Sequence, residues 1–393
     1  MARQTRPLRE VKSGFTPFQE GDVLFAKITP CMENGKGAHA FGLESGVGYG
    51  STEFHVLRAK AGNSPRYIFH LSQSSSLRLK AEASMIGSAG QKRVPSDFFR
   101  KHRVFAPDSA EQRLIAGILD TLDTQIQKTE ALIAKLEKVK EGLLQDLLTR
   151  GIDKNGRLRP SPGQAPELYK ESPLGLIPRE WEVKRLEGLL DGIDAGWSPS
   201  CSDVAPKEGE WGVLKVSAIS TGSYLPHKSK TLPERLSPIE EIEVKSGDVI
   251  CVRANGVADL VGKVAYVSST PRRLMLSDKT LRLRPGKNLD SRFLFLLMGS
   301  ASSRRQIASL ISGSSGQKNL SQSQINSMRV KAPSIDEQRR ISGALSSITS
   351  RIEHEKSACN NAATLKSGLM DDLLTGRVRV TPLLERTQAT TPA

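Results

Sequence analysis

The chain is poor in cysteine and has no long apolar segment. Its cysteines, Cys31, Cys201, Cys251 and Cys359, are far apart, and none belongs to a C-x-x-C pair. A disulfide framework and a zinc site are therefore not expected. No run of about 18 apolar residues is present, and the N-terminus, MARQTRPLRE, lacks the apolar core of a secretory signal. The sequence predicts a cytoplasmic protein without a membrane-spanning segment or a metal site.

Signatures of catalysis are missing as well. The sequence has no G-x-G-x-x-G cofactor loop, no Asn-Pro-Pro-aromatic motif and no G-x-x-x-x-G-K-[ST] phosphate-binding loop. Asp108 and Glu111 loosely suggest a metal-dependent nuclease, but both lie at the predicted start of a helix and no lysine follows them. A nuclease or a methyltransferase acting by itself is therefore disfavoured, and the chain is expected to carry no cofactor.

Acidic residues are outnumbered by basic ones. Lys and Arg total 57 against 42 Asp and Glu, which gives a net charge of +15 and a pI near 9.7. Such an excess suits a polyanionic partner such as nucleic acid, although a merely soluble basic surface would have the same composition. The 393 residues are enough for two or three domains, each with its own core.

The most regular stretch runs from Asp108 to Arg150. Alternating steps of three and four residues connect mostly apolar positions, and no proline interrupts them. These positions are Leu119, Leu122, Ile126, Thr129, Ile133, Leu136, Lys140, Leu143 and Leu147. A period of 3.5 predicts the seam of a long helix that needs a partner helix along its whole length. At about 1.5 Å per residue this helix would span roughly 60 Å.

The same pattern recurs 226 residues later in the sequence, where it begins at Leu345 instead of Leu119. The equivalent positions are Leu345, Ile348, Ile352, Glu355, Cys359, Ala362, Lys366, Leu369 and Leu373, so one seam position is lysine in both copies. At the same offset Gly21-Asp22 matches Gly247-Asp248, and Glu111-Gln112-Arg113 matches Glu337-Gln338-Arg339. The chain is therefore predicted to be a tandem duplication of a globular domain plus a long helix, and its two long helices can pack antiparallel.

This duplication predicts an α+β protein with two tandem α/β domains, each followed by a long helix. The predicted segments are 1–107 (first domain), 108–150 (first helix), 151–180 (linker), 181–333 (second domain), 334–376 (second helix) and 377–393 (a frayed tail). Strands are predicted at 21–28, 51–59, 211–220 and just before Pro107. Residues 64–83 and 292–310 are predicted to be helical.

One segment of the second copy has no counterpart in the first. The residues from Trp181 to Leu225 would align upstream of Met1. Either the chain is an N-terminal truncation of a longer protein, or its first domain has lost a third of its fold. Truncation is the favoured expectation.

These motifs resemble the specificity (S) subunit of a type I DNA restriction–modification system. The resemblance rests on the P-x-x-x-E-Q-R-x-I junctions at Pro107–Ile115 and Pro333–Ile341, the helix ends LLQDLLTRG and LMDDLLTGR, the entry GLIPREWEVKRL at Gly175–Leu186, and AGWSPS. It covers nearly the whole chain, and the shortened first domain departs from it.

The resemblance implies that each globular domain is a target-recognition domain for one half of a split site on double-stranded DNA. It implies an antiparallel coiled coil that separates the two domains, and no catalytic activity. Methyltransferase subunits would dock on the chain, and restriction subunits would join through them. S-adenosylmethionine, ATP and magnesium are then expected only on those partners.

Two glycine-containing loops are candidate DNA contacts. Gly90, Gln91, Lys92 and Arg93 match Gly316, Gln317, Lys318 and Asn319, and such loops can bring backbone N–H groups and a lysine to a phosphate. The alternative is a flexible connection between elements. Arg253 and Asn255 have the chemistry to bind guanine and adenine edges, and Lys27 matches Arg253; the alternative is a surface hairpin.

Three further sets of residues have a structural alternative to DNA contact. Trp197, Ser198, Ser200 and Lys215 fall where domains of the resembled family face the groove, but Trp197 could equally pack in the core. Arg304 and Arg305 are expected to lie on a solvated helix face. Capping and a side-chain tether are favoured for the Glu-Gln-Arg motifs. For the chain as a whole, the alternative is a coiled-coil interaction protein without DNA specificity, which leaves the charge and the repeated domains unexplained.

Overall fold

The structure is a computed structural model that describes residues 4–11, 13–88, 90–313 and 317–389. It divides into two compact units. The first unit contains residues 1–134 and 353–393, and the second unit contains residues 135–352. Each long helix therefore contributes residues to both units. The segment boundaries predicted from the sequence remain predictions.

Helices and strands are mixed along both halves of the chain. Up to the first long helix they are α1 (Leu8–Val11), β1 (Thr16–Gln19), β2 (Val23–Ala26), β3 (Gly37–His39), β4 (Val47–Gly50), β5 (Phe54–Leu57), α2 (Pro65–Gln73), α3 (Ser75–Ala83), α4 (Asp97–Lys101) and α5 (Ser109–Thr149).

The second half begins with short strands. Its elements are β6 (Tyr169–Lys170), β7 (Ile177–Pro178), β8 (Glu182–Arg185), β9 (Leu190–Ala195), β10 (Gly212–Leu214), β11 (Ser229–Thr231), β12 (Val249–Val252), β13 (Ala254–Asn255), β14 (Val264–Tyr266), β15 (Leu274–Met275), β16 (Thr280–Pro285), α6 (Ser291–Gly299), α7 (Ala301–Leu310), β17 (Lys318–Asn319), α8 (Gln322–Ser327), β18 (Arg329–Ala332), α9 (Ile335–Leu373) and α10 (Thr381–Ala389).

The predicted duplication is confirmed in the elements around each central strand. In the first unit an antiparallel sheet has the order β3-β2-β5, and in the second unit the equivalent strands have the order β14-β12-β16, with β9 added at the edge of β16. Helices α2 and α6 begin and end at equivalent residues, as do β2 and β12. Each central strand follows a turn in which Gly21 or Gly247 has a positive φ. In each turn the next residue, Asp22 or Asp248, accepts a hydrogen bond from a backbone N–H three positions earlier.

The long helices pack antiparallel within each unit. In the first unit Leu119 of α5 shares a core cluster with Met370 and Leu373 of α9. Asp123, one turn after Leu119 in α5, binds Lys366, which lies two turns before Leu373 in α9. The two helices therefore run in opposite directions. In the second unit Leu147 shares the core with Leu345, and the chain just beyond α5 reaches Glu337 near the start of α9. Every predicted seam position is buried or half-buried, which is expected of a helix–helix seam.

The two seam lysines have different surroundings. The ammonium of Lys366 lies 2.5 Å from the carboxylate of Asp123. The residue equivalent to Asp123 in the second copy is Thr349, and no ion pair of Lys140 is found among the described residues. The charge of the seam lysine that both copies share is therefore compensated in only one of the two copies.

Replacement by leucine is expected to affect these two lysines in opposite ways. Lys366→Leu leaves Asp123, whose side chain is only 26% exposed, without its cation. We expect the free energy of unfolding to fall by about 1–3 kcal/mol. Lys140→Leu removes a half-buried charge from the seam and should raise stability by up to about 1 kcal/mol. Calorimetry of both variants tests this difference, and equal shifts in the unfolding temperature would contradict it.

Three predicted elements are wrong in extent. The helices predicted at 64–83 and 292–310 are each two helices, because Ser74 and Ser300 cap the N-termini of α3 and α7 with their hydroxyls. The strand predicted at 211–220 is limited to Gly212–Leu214, after which the chain forms a 3₁₀ turn.

The segment 151–180 and the start of the tail, at Val380, are packed rather than free. Ile152, Tyr169 and Ile177 of the predicted linker are buried. In the tail, Val380 is buried and donates its backbone N–H to Glu111. Both segments supply partners for the Glu-Gln-Arg motifs.

The strand predicted just before Pro107 is absent. Residues 103–106 form an irregular segment, whereas the equivalent residues Arg329–Ala332 form β18, which pairs with β8. Strand β8 lies in the part of the second copy that the first copy lacks. Without a partner strand, the sequence preference at 103–106 is not enough to form a strand.

Candidate nucleic-acid interface

In the second unit a short ribbon brings several of the predicted DNA contacts together. Strands β13 and β17 pair antiparallel, so that Ala254 faces Asn319 and Asn255 faces Lys318. The backbone N–H of Leu320 donates to the carbonyl of Arg253 at 2.9 Å. The loop that carries Gln317 thus lies next to the end of central strand β12. Gly316 lies outside the described residues.

The side chains of this ribbon are positioned by local hydrogen bonds. The Asn255 Oδ1 accepts from the N–H of Val257 at 2.9 Å, which fixes the side chain in a turn. The Lys318 ammonium donates to the carbonyl of Gly313 at 2.9 Å. Arg253 is half-buried and has no carboxylate partner among the described residues. The ribbon is therefore cationic and can meet an anion.

Asp278 and Lys279, which the sequence analysis missed, connect this ribbon to the Trp197 loop. The N–H of Arg253 donates to the carbonyl of Lys279 at 2.8 Å, and the N–H of Asp278 donates to the Ser198 hydroxyl at 3.3 Å. Lys279 is exposed. The duplication offers a signal for Lys279, because this basic residue stands at the position where the first copy has the acidic residue Glu53.

Two of the remaining predicted contacts of the second unit, Trp197 and Lys215, have structural roles. Trp197 packs against an apolar core cluster, so the alternative of core packing describes it better. The ammonium of Lys215 lies 2.9 Å from Asp203, and this hydrogen bond lowers the pKa of that carboxyl. Ser200 is exposed. The charge of Lys215 is thus largely compensated, which weakens its case as a phosphate contact. Arg304 donates to the carbonyls of Asp259 and Val261, so it braces a turn rather than lying free on the helix.

The first unit has the same arrangement with different charges. The backbone of Arg93 forms an antiparallel β-bridge with that of Ile28, which follows Lys27. Gly90 has a positive φ and lies at the turn that precedes the exposed residues Gln91 and Lys92. The Arg93 guanidinium binds both oxygens of Glu53 at 3.0 and 2.9 Å. This hydrogen bonding lowers the pKa of Glu53. Arg93 is therefore neutralised in place, and Lys92 is the exposed cation of this loop.

The Glu-Gln-Arg motifs belong to the interior, in agreement with the capping and tethering that the sequence favoured. The amide of Gln112 binds the N–H of Ser64 and the carbonyl of Pro107, and that of Gln338 binds the equivalent groups of Asp290 and Pro333. Asp108 caps the start of α5 by accepting from Ala110 and Glu111. Glu111 is fully buried, and its hydrogen bond from Arg379 lowers the pKa of its carboxyl. These contacts explain Asp108 and Glu111 as structural residues.

A second polar cluster lies in the first unit where α2 meets α5. The ligand atoms of His70, Asp120 and Asp123 lie within 4.8 Å of one another, a grouping that could hold a metal ion. Arg66 and Lys366 already pair with the two carboxylates, so protein cations balance the charge. His70 is fully buried and bonds Asp120 at 2.8 Å. Its equivalent in the second copy is Leu296, so this cluster is particular to the first copy.

His70 should make the stability of the first unit depend on pH. Burial lowers the pKa of its imidazole below 6.5, partly opposed by the hydrogen bond to Asp120. The unfolded chain then binds the proton more readily, so stability is fully present above pH 6.5 and falls as the pH drops below it. His70→Leu, which copies Leu296, is expected to flatten this loss. The measurement is the unfolding temperature of the unsubstituted protein and of His70→Leu at about pH 7.5 and at about pH 5.5. If both proteins lost the same stability between the two pH values, the prediction would be wrong.

No helix in the described part of the chain is both long enough and apolar enough to cross a membrane.

Comparison with known proteins decides the family. A family model described as the type I restriction modification DNA specificity domain matches residues 5–138 and 178–363, well over half of the chain. The chain belongs to the type I restriction–modification specificity subunits. The model matches twice, once in each copy of the duplication, as expected for tandem domains in such a subunit.

Individual specificity subunits show the same relationship. The chain is 29% identical over 437 residues to the type I restriction enzyme EcoEI specificity subunit of Escherichia coli, which covers 93% of this chain and 73% of that protein. Over 109 residues it is 45% identical to the EcoAI specificity subunit of Escherichia coli, covering 27% of this chain and 18% of that protein. The stronger similarity is thus confined to a short part of the chain.

Solved structures confirm the predicted fold class. The S subunit of a type I restriction–modification system from M. genitalium matches with a TM-score of 0.53 at 14% identity, covering 92% of this chain and 84% of that one. A chain from a structure on complex assembly and conformational transition of the type I system matches with a TM-score of 0.52 at 20% identity, covering 93% and 85%. At these identities the likeness concerns the fold alone.

Proposed function

We propose that this specificity subunit reads a bipartite target on double-stranded DNA, one half with each of its two copies. The observation that carries the proposal is the repeated ribbon beside the central strand, at β13 and β17 in the second unit and at the Ile28–Arg93 bridge in the first. A repeated backbone arrangement that displays different side chains suits two related readers of two different sequences.

The side chains of the two ribbons differ in ways that would change the bases they prefer. In the second unit Arg253, Asn255 and Lys279 offer a guanidinium, an amide and an ammonium near one another. In the first unit the equivalent positions hold Lys27, Thr29 and Glu53, and the Glu53 carboxylate is bound by Arg93. Arginine and asparagine are the side chains best suited to guanine and adenine edges. We therefore assign the stronger base contacts to the second unit.

The long helices would set the separation of the two half-sites and, with the surrounding surface, dock the methyltransferase subunits. Restriction subunits would join the complex through those methyltransferase subunits. The chain itself would be non-catalytic, so that S-adenosylmethionine, ATP and magnesium act on the partner subunits. The family membership and the absence of cofactor motifs from the sequence support this division of labour.

Co-expression with a cognate methyltransferase subunit, followed by sequencing of methylated DNA, tests the proposal. A split methylated motif with a fixed spacer is the expected result. Methylation by the chain alone would show that it is an enzyme. Partner binding without any sequence preference in DNA binding, measured over a range of salt concentrations, would favour a coiled-coil interaction protein instead.

A further inference from the structure

The turn between strands β15 and β16 carries two exposed residues of opposite charge in the second unit. It runs from Ser277 to Thr280, and the N–H of Thr280 donates to the carbonyl of Ser277 at 2.9 Å. The Thr280 hydroxyl donates to the same carbonyl at 2.8 Å, and both of these residues are buried. Asp278 and Lys279, which lie between them, are exposed. The buried ends therefore fix a tight turn whose tip presents a carboxylate and an ammonium.

Neighbouring segments hold this turn from two sides. On one side the N–H of Arg253, just after β12, donates to the carbonyl of Lys279 at 2.8 Å. On the other side the Ser198 hydroxyl accepts from the N–H of Asp278 at 3.3 Å. A Cβ on Gly196 would overlap the backbone at the start of the turn, so the loop that contains Ser198 packs directly against it. The tip is thus a fixed part of the surface that also carries Arg253.

The other side chains of this surface are hydrogen-bond donors. Arg253, Lys279 and Lys318 are cations, which can donate but not accept. The Oδ1 of Asn255 already accepts from a backbone N–H, so its NH₂ donors are the groups left unpaired among the described residues. The carboxylate of Asp278 can only accept, and in the described part of the chain it has no ion pair and accepts no hydrogen bond. Asp278 therefore adds an unpaired acceptor to a surface of donors.

A base edge can use this acceptor, whereas the phosphate backbone cannot. Phosphates are anionic, so an unpaired carboxylate beside them is repelled and lowers the affinity for DNA of any sequence. In the major groove, cytosine N4 and adenine N6 present amino groups that can donate to a carboxylate. The adenine amino group lies next to N7, an acceptor that repels a carboxylate, whereas the cytosine amino group lies next to a C–H group. Cytosine is therefore the base that fits Asp278 best.

We propose that Asp278 is a specificity-determining residue of the second unit. Its carboxylate accepts a hydrogen bond from the N4 amino group of a cytosine in the half-site that this unit reads. The inference rests on the proposed function, because it names one base contact of the same reading surface. Lys279, next to Asp278 in the turn, can bind a phosphate and offset the repulsion between the carboxylate and the DNA backbone. At any base without a suitable amino group Asp278 stays unpaired beside the polyanion, so it also rejects the wrong sequence.

The first copy lacks this carboxylate. The residue equivalent to Asp278 is Thr52, and the residue equivalent to Lys279 is Glu53, whose carboxylate is bound by Arg93. The two copies thus differ at the tip of the same turn. The cytosine contact accordingly belongs to the half-site of the second unit, and changes at Asp278 should leave the other half-site as it is.

Sequencing of methylated motifs with substituted chains tests the proposal. Each chain is co-expressed with the cognate methyltransferase subunit. The unsubstituted chain should direct a split motif that requires a cytosine in one half-site. Asp278→Ala should reduce the preference for that cytosine about 10- to 100-fold, while the other half-site and the spacer stay unchanged. Asp278→Asn should admit adenine at the same position, because an amide can accept from N6 and donate to N7.

An exposed carboxylate elsewhere in the second unit provides the matched control. Glu208 is exposed and precedes Gly209, whose carbonyl accepts from Arg273. Arg273 comes directly before β15, whereas Asp278 follows this strand. Glu208→Gln removes the same charge and should leave the motif unchanged.

A change in the DNA tests the same contact from the side of the base. Pyrimidin-2-one in place of the required cytosine removes the N4 amino group. The affinity of the methyltransferase complex for this DNA should fall about tenfold or more with the unsubstituted chain and much less with Asp278→Ala, which has already lost the contact. Comparing the two chains subtracts the effect of the weakened base pair.

Three results would overturn the inference and leave the proposed function standing. The first is an unchanged split motif in both Asp278 variants. The second is a relaxed preference at a position that is not a cytosine. The third is an equal loss of affinity for pyrimidin-2-one DNA with the unsubstituted chain and with Asp278→Ala. If neither variant assembled with the methyltransferase subunit, unaltered binding of the unsubstituted chain to DNA with pyrimidin-2-one at every cytosine of that half-site would overturn it as well. Absence of any split motif with the unsubstituted chain would instead overturn the proposed function, and this inference with it.

Discussion

Replacing Glu337 by glutamine is expected to lower the free energy of unfolding of the second unit by about 3–5 kcal/mol, the usual effect of removing one member of a buried ion pair. The carboxylate is 3% exposed and accepts four hydrogen bonds. The donors are the N–H of Ile152 at 2.9 Å, Arg159 at 2.5 and 3.1 Å, and Trp181 Nε1 at 3.1 Å. Glutamine keeps the shape but turns an NH₂ group toward these donors and leaves Arg159 buried without its main counter-charge.

Tryptophan fluorescence isolates this effect. The chain has three tryptophans, Trp181, Trp197 and Trp211, and all of them lie in the second unit. Urea unfolding followed by tryptophan emission therefore reports on that unit, and the midpoint should fall clearly in Glu337→Gln. Since small domains have total stabilities of about 5–15 kcal/mol, a loss of this size is readily measured.

Two matched variants decide the interpretation. Glu353→Gln removes an exposed carboxylate from the same helix and should change stability by less than about 0.5 kcal/mol. Glu111→Gln removes the equivalent residue in the first unit, where the partners are Arg379 and the N–H of Val380. It should destabilise less, because the side chain of Arg379 is 52% exposed. An unchanged fluorescence midpoint in Glu337→Gln would show that the buried cluster does not stabilise the unit.

The Glu337 cluster also shows where sequence-based prediction stopped. The motif at Glu337 and its position at a helix start could be predicted, and so could the seam of the helix behind it. Its partner Trp181 begins the predicted second domain, but its partner Arg159 lies in the predicted surface linker, and nothing in the local pattern of a Pro- and Gly-rich stretch reveals a buried arginine. Gly151 has a similar hidden role, since a Cβ there would lie within 2.2–2.6 Å of Glu337, Trp181 and Arg159.

Long-range pairing explains most of the other differences. The sequence preference at residues 103–106 and 329–332 is similar, yet only the second segment forms a strand, because among the described residues only it has a partner strand. Likewise Arg93 matched the pattern of a phosphate contact, but its charge is bound by Glu53, which is 40 residues away in sequence. Periodicity and duplication could be predicted because they are local or repeated. Ion pairs between distant residues are neither.

Arg253→Ala is expected to weaken binding to the recognised DNA about 10- to 100-fold, on the proposal that its guanidinium contacts a base edge. A good bidentate contact contributes about 1–3 kcal/mol of discrimination, and about 1.4 kcal/mol corresponds to a factor of ten. The backbone of Arg253 is held by Lys279 and Leu320, so removal of the side chain should leave the ribbon in place. The measurement is binding of the methyltransferase complex to DNA that carries the methylated motif, compared with the same DNA altered at single positions.

Three comparison variants separate a base contact from mere charge. Arg253→Lys keeps the charge but not the paired donors, so it should lose affinity mainly for the recognised sequence. Lys279→Ala should weaken binding to all sequences and reduce the slope of affinity against salt by about one, as expected for a phosphate contact. Arg305→Ala removes an exposed cation from α7 and should change binding little. If Arg253→Ala weakened binding equally to altered and unaltered DNA, with the same change in salt slope as Lys279→Ala, then Arg253 would contact the backbone and the bases would be read elsewhere.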